Sequence, residues 1–205
     1  MKQNQKIHTS LLVASILAIS TLLFLSFRTT KLLPFEYVEW VDNPRNELKQ
    51  SKIINDITFS AQYLPHEYLA LRQLKRARIS EVDLKNELEN WKELQYFKLQ
   101  IGADGSEREK INKMFSSKVS YYAFDMQKDI QLVDGTDTLN CGLFHHEQSY
   151  GISPFQTFLL AFESNGHTDV QNKSILLNEK IWGFGKINLT VNSAAINKIP
   201  ELITN

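Results

Sequence analysis

With 205 residues, 42% of them hydrophobic and 22% charged, the chain is apolar enough to build a core and too apolar to stay disordered. Its formal net charge is zero and its pI is near 7, which removes the electrostatic footprint of a nucleic-acid binder. A lone cysteine, Cys141, excludes an internal disulfide and neither supports nor contradicts an oxidising compartment.

From Thr9 to Phe27 the chain runs 19 residues without a charge, mostly Leu, Ile, Val, Ala and Phe. As a helix this run is ~28 Å long, close to the ~30 Å thickness of the hydrocarbon core. Lys2 and Lys6 flank it on one side, Arg28 and Lys31 on the other. A cleaved signal peptide has an apolar region of about 7–15 residues and a small-x-small cleavage site. Here the run is longer and ends Leu25, Ser26, Phe27, Arg28, with no cysteine directly after it for lipoprotein processing. The expected organisation is a short cytoplasmic tail (1–8), a transmembrane signal-anchor helix (9–27), a juxtamembrane segment (28–47) and a single extracytoplasmic α+β domain (48–205). The flanking charges nearly balance, so the orientation rests on the shortness of the leading tail.

Pro34 to Val41 predicts a short amphipathic helix with Tyr37 and Trp40 one turn apart. Those two rings either sit at headgroup level or pack on the domain. Ile53 and Ile54, then the alternating Ile57, Phe59, Ala61 and Tyr63, flank the turn pair Asn55 and Asp56 and predict a hairpin. Pro65 opens a helix through Tyr68, Leu69, Leu71 and Leu74. Ser80 with Asp83 resembles a capping box opening a second helix through Val82, Leu84, Leu88 and Trp91. Glu93 to Ile101 alternates as a strand with one apolar face. Ser106 and Glu109 cap a third helix through Ile111, Met114 and Phe115. Its continuation through Val119, Tyr122 and Met126 is read as helix, although Tyr122, Phe124 and Met126 also fit a strand. The last third is β: Ile130 to Val133, a turn at Asp134 to Asp137, Leu139 to Glu147, Phe155 to Phe162, Ser174 to Leu177, Ile181 to Phe184 and Ile187 to Val191. The fold class is α+β, mainly antiparallel sheet with about three helices after one N-terminal transmembrane helix.

Cys141, His145, His146 and Glu147 form the densest group of metal-capable residues. Zinc needs three or four ligands converging at about 2 Å. A strand holds Cys141 and His145 ~13 Å apart and turns His146 to the opposite face, leaving His145 and Glu147 alone together. No metal and no cofactor is expected; only a distant ligand such as His66 or His167 could complete a site. Gly183, Phe184, Gly185 and Lys186 lack the remaining glycines and the helix start of a phosphate loop. Gly151, Ile152, Ser153 and Pro154 stop short of a nucleophile elbow. The basic run Arg72, Lys75, Arg76, Arg78 precedes Glu81, Asp83, Glu87 and Glu89. These are the solvated faces of two neighbouring helices, with ion pairs worth under ~1 kcal/mol each. The functional alternative is contact with anionic lipid headgroups.

Asp125 to Asp129, Asp137 to Cys141, Leu143 to His145 and Phe155 to Phe162 together resemble an uncharacterised family of exported bacterial proteins, across half of the soluble part. Such proteins are often lipid-anchored, whereas this chain has no cysteine directly after its apolar run. The resemblance implies no activity and carries over no functional residues. The expected function is a membrane-tethered envelope module, binding or structural and non-enzymatic, held to the lipid bilayer by its N-terminal helix. Its partner would be an envelope protein and not nucleic acid. An envelope hydrolase is the alternative. A deep pocket lined by His145, Glu147 or other convergent ionisable groups would favour the hydrolase, and an open sheet with an exposed apolar patch the binding module.

Overall fold

The computed structural model describes residues 30–147, 153–164 and 170–205. The transmembrane helix expected at 9–27 lies outside them, and among the described residues no helix is long and apolar enough to cross a membrane. Contacts divide the chain between Lys31 and Leu32, and residues 32–205 form a compact unit of their own. Leu32 ends a two-residue strand, β1 (Lys31–Leu32), and its carbonyl accepts a hydrogen bond from Ile203 N–H at 2.8 Å.

Alternating apolar residues build the sheets. Strands β2 (Lys49–Ile54) and β3 (Ile57–Leu64) form a hairpin whose last pair is Ile54 with Ile57. Asn55 and Asp56 take φ of 47° and 65°, the two left-handed residues that a type I′ turn demands. Strand β3 pairs with β4 (Leu94–Gly102). Beyond the chain's middle, β5 (Ile130–Asp134) and β6 (Asp137–Asn140) form a second hairpin. They are followed by β7 (Leu143–Glu147), β8 (Phe155–Glu163), β9 (Lys173–Glu179), β10 (Gly185–Val191) and the two-residue β11 (Glu201–Leu202). The result is a five-stranded antiparallel sheet, β2-β3-β4-β8-β7, and a four-stranded one, β10-β9-β5-β6. Phe59, Phe97, Leu99, Phe158 and Leu160 of the first meet Leu132, Ile175, Leu177 and Ile187 of the second in one fully buried core.

Five α-helices occur among the described residues, where about three are expected: α1 (Pro34–Asp42), α2 (His66–Leu74), α3 (Glu81–Leu88), α4 (Arg108–Ser117) and the four-residue α5 (Ser193–Ile196). Tyr37 and Val41 of α1 share a second core with Tyr68, Leu69 and Leu71 of α2 and with Leu64, Tyr96 and Ala161 on the outer side of the five-stranded sheet. The segment read as juxtamembrane therefore contributes to the folded core, and Tyr37 packs on the domain. Ser80 caps α3, its Oγ accepting from Asp83 N–H at 3.1 Å. After α4 the chain remains helical, as a π turn (Tyr121–Asp125) and a 3-10 turn (Met126–Asp129) that bury Tyr122 and Met126.

Two expected strands are corrected. Leu139 to Glu147 is not one strand: it breaks at Cys141 and Gly142, where the chain leaves the four-stranded sheet and joins the five-stranded one, with Gly142 N–H bonded to Ala161 C=O at 2.9 Å. Ile181 to Phe184 is a loop between β9 and β10. The buried Glu179 carboxylate holds it by accepting from the N–H groups of Ile181 (2.5 Å), Trp182 (2.9 Å) and Phe184 (3.1 Å). The loop's apolar side chains still turn inward, Trp182 and Phe184 each lying edge-on to Phe59 with centroids 6.1 Å apart.

Candidate functional site

The helices cover only part of the five-stranded sheet. On its outer face one cross-strand row, Leu64, Tyr96 and Ala161, is buried beneath them. The next two rows are polar. Lys49, Gln62, Lys98, Leu159 and His145 lie side by side in one, and Ser51, Ser60, Gln100, Thr157 and Glu147 in the other. Period-two alternation dictates this, since Phe97, Leu99 and Ile101 must point into the core and so turn Lys98 and Gln100 outward.

Asp42, the last residue of α1, stands where the helical layer meets these rows. Its carboxylate accepts from Tyr68 OH at 3.0 and 3.2 Å and from Gln62 Nε2 at 3.3 Å, and lies 3.9 Å from Lys98 Nζ. Further along, Lys49 Nζ donates to Gln100 Oε1 at 2.9 Å, and Gln100 Nε2 donates to Thr157 Oγ1 at 3.3 Å. Burial pushes the Lys98 ammonium below its usual range; Asp42 and Glu147 oppose the shift, while Lys49 and Arg72 add to it. The Tyr68 phenol is pushed up to about 12, by burial first and then by Asp42. The arrangement sets cations, carboxylates and amides in fixed register on a partly covered sheet face.

The structure divides the four metal-capable residues among three environments. His145 and Glu147 are exposed on the polar outer face. His146 points to the opposite side, stacked on Phe158 (centroids 4.7 Å, 23° between planes), with Nε2 2.9 Å from Gln156 Oε1. Cys141 is buried, its S–H donating to Leu143 C=O at 3.1 Å, and burial pushes its thiol up to about 11. Of the distant ligands, His66 is engaged, Nε2 lying 2.7 Å from Leu94 C=O, and His167 lies outside the described residues. Among the described residues no three His, Cys, Asp or Glu side chains converge on a point where a metal could bind. Sequence reasoning missed Lys98, Asp42 and Tyr68. Lys98 had a signal, as the one charged position of its strand; Asp42 and Tyr68 meet it only through tertiary packing. Comparison of the chain with protein-family models, with curated proteins and with solved structures finds no match.

Proposed function

We propose that this protein is a membrane-tethered, non-enzymatic module of the bacterial envelope that holds a partner protein on the uncovered half of its five-stranded sheet. One observation carries the reading. Beside the packed helical layer, two polar rows run from Lys49 to His145 and from Ser51 to Glu147; Ser60 and Gln62 are buried in them, while Ser51, His145 and Glu147 stand exposed, with Lys49 and Lys98 half-exposed between. A polar sheet face with Lys49 and Lys98 in one row and Glu147 in the next suits recognition of a complementary protein face, where charge pattern sets register and excludes wrong partners. The apolar run 9–27 supplies the tether, and the resemblance to exported proteins agrees with it. The rival, an envelope hydrolase, draws on the same face, because His145 and Glu147 share it with Lys98.

The test is capture from membranes of the tagged full-length chain beside a Lys49→Glu/Glu147→Lys variant, which keeps net charge and reverses its pattern. A protein recovered with the native chain should fall about tenfold in the variant, with the thermal melt unchanged. Equal recovery from both, or no specific protein, would sink the platform reading. Hydrolysis of model esters or peptides that is lost in His145→Ala would put the hydrolase first.

A further inference from the structure

On the far side of α1 from its buried Tyr37, the chain leaves apolar surface uncovered. Phe35 is 68% exposed and Leu33 49%. Phe35 and Val38 of α1 and Leu71 of α2 help to line an open groove of about 550 Å³, and Arg72, Lys75 and Arg76 share its lining. Lys75 ends α2 in a left-handed conformation (φ 52°), so the chain turns there and carries Arg76 to the same groove. Arg76 bonds an exposed carboxylate, Asp83 at 2.9 Å, and 58% of its side chain stays open to solvent.

We infer that this groove is the face that rests on the membrane, with Phe35 and Leu33 entering the interface and Arg72, Lys75 and Arg76 meeting anionic lipid headgroups. The inference rests on the tether reading above. Leu33 follows Phe27 by six residues, and a chain spans at most ~3.6 Å per residue, so Leu33 stays within about 22 Å of a bilayer that residues 9–27 cross. Exposed aromatic and aliphatic side chains beside Arg and Lys are the pairing that an anionic interface takes up: apolar groups enter the headgroup boundary, and cations meet the lipid phosphates. The partner platform, on the sheet, is a separate set of residues and remains free.

The experiment uses the full chain with Phe35→Cys, labelled with a fluorophore and reconstituted into nanodiscs. One set is phosphatidylcholine and the other contains phosphatidylglycerol; both carry a trace of headgroup-spin-labelled lipid as quencher. Native protein taken through the same labelling is the blank, since Cys141 is buried. Quenching should be at least about twofold stronger in anionic discs, and Lys75→Glu/Arg76→Glu should abolish that difference. Equal quenching in both discs, or none, with the chain bound to both, overturns the inference and leaves the tether intact. Burial of the fluorophore that grows with protein concentration in detergent assigns the groove to a second copy and also overturns it. A chain that binds neither disc overturns the tether reading, and this inference with it.

Discussion

Lys173 is the residue on which one end of the sandwich depends. Its ammonium reaches Asp134 Oδ2 at 2.7 Å and Gln95 Oε1 at 2.6 Å, and Gln95 Nε2 closes the triangle on Asp134 at 2.9 Å. Asp134 is 2% exposed at the side chain and Lys173 12%, and Gln95 belongs to the facing sheet, so the cluster ties the two sheets together. Asp134 Oδ1 has no partner among the described residues, so the carboxylate depends on Lys173 for its neutralisation. Lys173→Met should leave that charge buried and unpaired, at about 3–5 kcal/mol. Asp134→Leu/Lys173→Met removes both charges and should recover most of the loss. Urea melts of the two single variants and the pair measure this; additive losses would show that the ion pair is not coupled. The contrast with Lys98 is instructive. Lys98 is also drawn partly out of water, but its carboxylate stands 3.9 Å away at the edge of open surface, so its substitution belongs to recognition more than to stability.

At the scale of elements, the central sheet leaves no slack. Gly102 lies between Thr58 of β3 and Phe155 of β8. A methyl group there would meet Pro154 C=O at 2.2 Å and Phe155 Cα at 2.7 Å, both backbone atoms that cannot step aside. Gly102→Ala should therefore destabilise by about 1–3 kcal/mol, seen as a lowered thermal midpoint; an unchanged midpoint would mean that the ends of β4 and β8 separate freely. That Gly102 ends an otherwise readable strand shows where sequence reasoning succeeds and where it stops. Alternation exposes β3 and β4, a largely apolar run exposes β8, and the Asn55–Asp56 pair exposes the hairpin, because those signals are local. The break at Cys141 and Gly142 is invisible, since both flanking segments are strand-like and only packing decides which sheet each one joins. Ile181 to Phe184 reads as a strand because its side chains are mostly apolar, yet the acid just ahead of it, Glu179, gathers its backbone N–H groups into a loop. A four-residue helix such as α5 is too short to show a period. The candidate face was half legible: His145 and Glu147 emerge together from strand geometry, whereas Asp42 reaches Lys98 only because α1 docks across β3.

Residues 32–205 of the protein stack a helical layer, a five-stranded sheet and a four-stranded sheet, and their described tyrosines lie buried or half-buried in the two cores between them. Six of its seven tyrosines, Tyr37, Tyr63, Tyr68, Tyr96, Tyr121 and Tyr122, have hydroxyls raised above the ordinary value of 10, burial being the first cause in each; Tyr63 and Tyr68 reach about 12. The Cys141 thiol rises from 9.0 to about 11 for the same reason. A group whose folded pKa is raised holds its proton longer in the native state than in the unfolded one. Its stabilisation is complete below the unfolded value and is lost as pH climbs towards the folded value, less steeply for the groups that keep contact with solvent. Stability should thus fall from pH 9 as Cys141 begins to contribute, and more steeply from pH 10 to 12 as the tyrosines join it. Cys141→Ser should move the onset towards pH 10. Tyrosinate absorbance at 295 nm, followed with far-UV circular dichroism, checks the cause: the phenols should ionise together with the loss of secondary structure. Ionisation near pH 10 in a chain that keeps its native dichroism would mean that the phenols reach solvent without unfolding, and the layered packing would have to be looser than their burial implies.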